Sequence, residues 1–167
     1  MTIGEHIDDY MSVSLNELRW LHETAKNMKS IVEIGSCKGR STYALCSSGC
    51  PQVIAVDDFG CGTKAEFLEN TKEFKNLTLL EMLSKDAVDK VSDTDMVFID
   101  GMHDYEHVME DLILWGNKAK ILLCGHDYRP NTPWTDVQRA VNNFLGYTPL
   151  LFETIWYVEV RNNYGIN

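Results

Sequence analysis

The chain has 167 residues, 44% of them hydrophobic and 24% charged, with a formal net charge of −10. Such a length suits one domain with its own buried core, the composition is that of a soluble globular protein, and so acidic a surface argues against nucleic acid or an anionic bilayer as partner. No apolar run is long enough to span a bilayer, the start of the chain lacks the basic and apolar regions of a secretory leader, so a cytoplasmic setting is expected, and five cysteines without CxxC spacing argue against a disulfide framework or a thiolate zinc site.

In chain order, Ser14-Leu15-Asn16-Glu17 has the spacing of a capping box and predicts a helix carrying Leu18, Leu21 and Ala25 on one face. The run 31–34 predicts a first strand, followed by a glycine-bearing turn and a helix from about Ser41. The run 53–56 predicts a second strand ending at Asp57-Asp58. Thr63-Lys64-Ala65-Glu66 repeats the capping-box spacing before a helix with Phe67, Leu68 and Phe74. Strands are expected at 77–80, 96–99 and 121–124. A helix with Val108, Leu112 and Trp115 separates the last two. Residues 133–145 read as a helix with Pro133 near its start, and 148–152 with 154–160 as an antiparallel pair at the sheet edge. Alternating strands and helices without an internal repeat predict one domain over 1–167. Its expected fold is α/β, a Rossmann-like doubly wound sheet, mostly parallel with an antiparallel C-terminal strand pair.

Polar clusters fall at the ends of the first, second, fourth and fifth strands, where open parallel sheets bind ligands. The first is Glu33-Ile34-Gly35-Ser36-Cys37-Lys38-Gly39-Arg40-Ser41-Thr42. Two glycines let a backbone turn tightly against a ligand, and the following helix offers N–H groups to a carboxylate or phosphate. The spacing lacks one glycine of the dinucleotide fingerprint, and acidic Glu33 suits an ammonium group better than a pyrophosphate. At the second strand end, Asp57 is placed for ribose hydroxyls, with Asp58 or Phe59 bordering a base.

Residues 31–45 resemble motif I of class I S-adenosylmethionine-dependent methyltransferases, in particular the methyltransferase-24 group. Phe98-Ile99-Asp100-Gly101-Met102-His103-Asp104-Tyr105-Glu106 and Gly125-His126-Asp127-Tyr128 resemble that group's fourth- and fifth-strand ends, and Thr154-Ile155-Trp156-Tyr157-Val158 a final strand. The resemblance implies S-adenosylmethionine as cofactor. Glu33, Gly35, Gly39 and Ser41, with Ser36 among them, would line its methionine part, Asp57 would hold the ribose, and Ser84 would lie near the adenine.

Asp100, His103, His126 and Asp127 form the remaining constellation. Asp100 and Asp127 are hard oxygen ligands for Mg²⁺ or Mn²⁺, His126 is the poorest ligand of the set, and His103 is placed to take a proton near neutral pH. A bound cation would lower the pKa of an acceptor hydroxyl. The competing reading has Asp100 bind the cofactor's amino group, Asp127 cap a turn, and no metal. His103-Asp104-Tyr105-Glu106-His107 also matches the inverted zinc-peptidase pattern, but its α/β context is wrong for that chemistry. Tyr128 and Trp134 are candidates to stack on an acceptor ring. The expected function is O-methylation of a small hydroxylated acceptor such as a sugar. The alternatives are a cofactor-binding protein without turnover and an NAD-dependent oxidoreductase.

Overall fold

Strands and helices alternate in the computed structural model, which describes residues 2–7, 13–129 and 135–160. The order is α1 (Leu15–Ala25), β1 (Ser30–Ile34), α2 (Arg40–Ser47), β2 (Gln52–Val56), α3 (Lys64–Thr71), β3 (Leu77–Leu80), α4 (Ser84–Ala87), β4 (Thr94–Ile99), α5 (Tyr105–Trp115), β5 (Ala119–Gly125), α6 (Thr135–Leu145), β6 (Leu150–Phe152) and β7 (Ile155–Glu159). Every expected strand and helix is present. Helix α4, a single turn, is an addition that apolar periodicity is too short to signal. Pro133 and Trp134, expected to open the last helix and to stack on an acceptor, lie outside the described residues.

The strands form one sheet in the order β3-β2-β1-β4-β5-β7-β6. Pairs among β1 to β5 are parallel, and β7 runs against both β5 and β6. From β1 the chain moves outward through β2 and β3, then returns to the other side of β1 as β4. Neighbouring connections therefore diverge between β1 and β4, and a crevice opens at their carboxyl ends.

Period-two alternation sends side chains to two cores. Ile31, Val53, Met96, Phe98 and Leu122 pack under α1 and α2 against Leu18, Leu21, Ala44 and Leu45. Val32, Ile34, Val97, Ile99 and Leu123 pack under α5 and α6 against Leu112, Trp115, Val137 and Val141. Strands buried on both faces explain the short, continuous apolar runs in the sequence. No helix among the described residues is long and apolar enough to cross a membrane.

The two capping-box sequences have different outcomes. At Ser14 the box forms, with Glu17 N donating to Ser14 Oγ (3.2 Å) and Ser14 N to Glu17 Oε2 (2.7 Å). Thr63 has φ −91° and ψ 5° and makes no side-chain cap. Its hydroxyl meets Cys61 Sγ at 3.1 Å, and Glu66 pairs with Lys38 at 3.4 Å instead. All five cysteines are free thiols.

Candidate active site

The β1 side of the crevice is built from backbone. Gly35 has φ +84°, and a Cβ there would lie 2.2 Å from the carbonyl oxygen of Asp100. The glycine is therefore needed for a close approach of the β1 turn to the β4 end, in addition to its conformation. Gly39, with φ +85°, caps α2, and its missing Cβ makes room for Thr71 and Phe67 of α3. Helix α2 has no side-chain cap, so its first-turn N–H groups remain suited to an anionic group.

Glu33 is fully buried beneath this turn rather than lining it. Ser36 Oγ donates to Glu33 Oε2 at 2.9 Å, and Thr42 Oγ1 donates to the same oxygen. Burial pushes the Glu33 carboxyl up to about 7, against the opposing pull of Ser41, Thr42 and Ser36. In this structure Glu33, Ser36 and Ser41 tie the turn to α2. At the end of β2, Asp57 Oδ2 accepts from Ser36 N (2.7 Å) and Cys37 N (2.8 Å), and Oδ1 accepts from Phe59 N (2.6 Å). Asp57 thus locks the turn to β2. Asp58 is exposed and accepts from Gly60 N, whereas Phe59 is buried against Phe67. Of the two residues expected to border a base, Asp58 faces solvent and Phe59 belongs to the core. Ser84 opens α4. Its hydroxyl donates to Asp111 and accepts from Trp115 Nε1 at 2.7 Å, while burial pushes the Asp111 carboxyl up to about 6.

The β4–β5 side is built from charged side chains. Ladder extensions from Asp100 N to Ile34 O (2.7 Å) and from His126 N to Ile99 O (3.1 Å) set the strand ends side by side. His103 Nε2 lies 2.7 Å from Asp127 Oδ2 and 4.0 Å from Asp100 Oδ1. Asp127, at φ +59°, also meets Arg129 at 3.0 Å. The cationic partners His103 and His126 outweigh burial and hold Asp127 well below the usual carboxylate range. Burial pushes Asp100 up to about 6, and Asp127 raises His103 above its ordinary value.

His126 lies behind this pair, almost wholly buried. Its Nδ1 is 3.2 Å from Asp127 Oδ2 and 3.6 Å from Asp100 Oδ1, and its Nε2 is 3.2 Å from Glu17 Oε2. Burial alone would lower His126, but Asp100, Asp127 and Glu17 raise it to about 10. Glu17 is held down at about 2, its burial outweighed by His126, Thr154 and Ser14.

Ligand atoms of Asp100, His103 and Asp127 lie within 4.8 Å of one another, and among the described residues this is the one cluster able to hold a metal ion. Two carboxylates and an imidazole this close offer the oxygen and nitrogen donors that a divalent cation takes, although His103 and Asp127 already meet directly at 2.7 Å. His103 takes the third place in this set. His126, expected as a ligand, directs both nitrogens at protein oxygens. Exposed His107 of the zinc-peptidase pattern turns away to Asp104 at 2.7 Å.

Sequence reasoning missed Glu17 and Thr154, which reach the site from α1 and the β6–β7 turn. It also missed Trp156, which stands against Gly125: a Cβ on that glycine would lie 2.6 Å from the indole. The capping box was a signal for Glu17, but one that pointed only to a helix start.

A methyltransferase-domain family, Methyltransf_24, matches residues 32–128. That span, from β1 to just past β5, supplies both sides of the crevice. No curated protein sequence matches the chain. Among solved structures it is similar to cofactor-bound Rv0187 from MTB, with TM-score 0.73 and 16% identity over 93% of this chain and 84% of that one. It is also similar to the O-methyltransferase from Bacillus cereus in complex with SAH, with TM-score 0.72 and 15% identity over 90% and 84% of the two chains. The N-methyltransferase NodS from Bradyrhizobium japonicum WM9 matches with TM-score 0.64 and 12% identity over 86% and 92%. These likenesses establish a shared fold, one that carries both O- and N-methyltransferases.

Proposed function

Because the chain belongs to the Methyltransf_24 family of methyltransferase domains, we propose that it moves the methyl group of S-adenosylmethionine to a hydroxyl oxygen of a small acceptor such as a sugar. The observation that carries this reading is the placement of Asp100, His103 and Asp127 at the β4 and β5 ends, across the switch point from the glycine turn of β1. In this reading the uncapped N-terminus of α2 receives the cofactor's carboxylate. Asp57 and Asp58 face the ribose. Ser84 stands near the adenine, with the exposed side chain of its chain neighbour Leu83 as an apolar surface.

The acceptor oxygen attacks the methyl carbon in line with the sulfonium. A C–O bond forms, the C–S bond breaks, and S-adenosylhomocysteine leaves with the electron pair. The hydroxyl proton passes to His103, whose imidazolium Asp127 stabilises at 2.7 Å. Positioning supplies most of the rate, since a sulfonium is already an activated donor. Asp100 and Asp127 are also hard oxygen donors that fit Mg²⁺ or Mn²⁺, with His103 as third ligand only in its neutral form; such an ion would lower the pKa of a bound hydroxyl and take over from His103 as the group that activates it.

Calorimetric titration with S-adenosylhomocysteine, with and without Mn²⁺, tests this reading. Saturable binding is expected, with Asp57→Asn weakening S-adenosylhomocysteine about tenfold and Asp127→Asn weakening Mn²⁺ about tenfold while sparing the nucleoside. Absence of binding by protein stripped of co-purified cofactor overturns the cofactor assignment. Binding without methyl transfer to any hydroxylated acceptor leaves a cofactor-binding protein, and transfer to nitrogen alone overturns the oxygen assignment.

A further inference from the structure

Glu17 does more than a capping residue requires. A capping-box glutamate has only to reach back to the N-cap N–H, and an exposed side chain does that. This one is 2% exposed and takes, besides the cap contact from Ser14 N, three further-reaching contacts on its two oxygens. Oε2 accepts from Ser14 N (2.7 Å) and lies 3.2 Å from His126 Nε2. Oε1 accepts from Thr154 N (2.9 Å) and from the Thr154 hydroxyl (2.6 Å). Burying a carboxylate is costly unless it is fully paired, and capping α1 gives no reason to bury it. The pairing partner does, because it is the imidazole that braces the crevice.

The hydrogen-bond directions make this a one-way chain. The Thr154 hydroxyl spends its proton on Glu17 Oε1, so it presents a lone pair to His126 Nε2 at 2.9 Å. Both neighbours of Nε2 are then acceptors, and Nε2 donates. On the other edge of the ring, Nδ1 faces only the carboxylate oxygens of Asp127 (3.2 Å) and Asp100 (3.6 Å), and also donates. The ring's tilt is therefore set from behind by Glu17 and Thr154, and its front edge sets where the two carboxylates point. Glu153 ties the same two elements together on the surface, accepting from Ser14 Oγ (2.6 Å) and Asn16 Nδ2 (2.8 Å). Glu17 lies outside residues 32–128, the part of the chain that the family model covers.

We propose that Glu17 is a positioning residue of the acceptor side, acting through His126 to hold the Asp100 and Asp127 carboxylates in register for a divalent cation. It rests on the reading of Asp100, His103 and Asp127 as a cation site. Outer partners of this kind typically change metal affinity by 10–100-fold.

The test uses Mn²⁺ as probe on the full chain, with free Mn²⁺ read by electron paramagnetic resonance and S-adenosylhomocysteine binding read by calorimetry. Glu17→Gln is expected to weaken Mn²⁺ by about tenfold or more and to leave S-adenosylhomocysteine affinity within about twofold. Ser14→Ala removes the cap without touching His126, and is expected to lower thermal stability while Mn²⁺ affinity holds. In a His126→Asn background, Glu17→Gln is expected to add no further loss, because the chain of contacts is already broken. Should Glu17→Gln prove too unstable to purify, Thr154→Val is expected to show a smaller loss of Mn²⁺ affinity with the same dependence on His126. Unchanged Mn²⁺ affinity in Glu17→Gln, a loss matched by Ser14→Ala, or a full additional loss in the His126→Asn background each overturns the role of Glu17 alone. Failure of the unaltered chain to bind Mn²⁺ overturns the cation site itself and the proposal with it.

Discussion

The two sides of the crevice are held in place by different means. On the β1–β2 side the contacts are largely backbone: Asp57 accepts from Ser36 N and Cys37 N, 21 and 20 residues away, and Gly35 lies against the Asp100 carbonyl. On the β4–β5 side the contacts are ionic and remote: His126 meets Glu17 across a separation of 109 residues, and Thr154 meets Glu17 across 137. A side built from backbone is fixed once the strands are in register. A side built from buried charges keeps its shape only while every partner keeps its charge. The first kind suits a part of the ligand that does not vary, and the second suits the place where a proton must move.

The sharpest way to break this contrast is Gly35→Ala. The added Cβ would lie 2.2 Å from Asp100 O and 2.7 Å from Gly101 Cα, both backbone atoms, at φ +84°. Neither strand end can yield without loss of the β1–β4 ladder. A cost of about 4 kcal/mol or more is expected, from overpacking and positive φ together. That approaches the whole stability of many domains. Chemical denaturation measures it, and a loss below about 1 kcal/mol would mean that the strand ends are not rigidly apposed.

The same contrast explains what the sequence disclosed. The fold was readable because each strand is a short apolar run and each helix has its own period. The glycine turn stood out because its residue types and spacing fall within one short stretch, and Asp57 because it closes the next strand, about twenty residues from the backbone it holds. Asp100 and Asp127 could be picked out together because both stand at the carboxyl ends of neighbouring strands, and the structure brings them beside His103. Their supports could not. Nothing local distinguishes Glu17, which caps α1 and reaches His126, from Glu66, which has the same spacing from Thr63 and pairs with Lys38 on the surface. Glu33 was misplaced for a related reason: its position next to the glycine turn suggested ligand contact, whereas strand alternation directs its side chain into the α2 layer, where Ser36 and Thr42 meet it.

A smaller effect separates the two sides by pH. His126 is raised from 6.5 to about 10 in the fold. Its contribution to stability is therefore complete below about pH 6.5 and is lost as pH rises through about 10. Glu17 is depressed, so its contribution is present above 4.5 and is lost as pH falls toward about 2. Between pH 7 and 10 the paired carboxylates stay ionised, and the network groups that lose protons are the two raised imidazoles, His126 and, in contact with Asp127, His103. With chelator present, His126→Asn is expected to cost about 3 kcal/mol at pH 7, as removal of one partner from a buried ion cluster does. The gap to the unaltered chain should close steadily toward pH 10. Using the variant as reference subtracts the thiols and tyrosines that titrate over the same range. A gap that stays constant with pH would mean that His126 is neutral in the fold.

The smallest effects come from two other glycines, which isolate what makes Gly35 special. Gly39 and Gly62 have φ of +85° and +82°, close to that of Gly35, so the conformational penalty of alanine is nearly the same at all three. What differs is the space around the added carbon. At Gly39 it would meet Thr71 Cγ2 at 2.9 Å and Phe67 Cδ2 at 3.1 Å, side-chain atoms that can shift by a few tenths of an ångström. At Gly62 nothing lies within 4 Å. Gly62→Ala is expected to cost about 1 kcal/mol, the price of positive φ alone, and Gly39→Ala about 1 kcal/mol more for repacking α2 against α3. Denaturation of the three variants under one set of conditions gives the ranking. If Gly62→Ala were as damaging as Gly35→Ala, the backbone's conformation rather than its approach to Asp100 would be what the β1 turn requires. The apposition of the two strand ends would then be a consequence of the turn and not its cause.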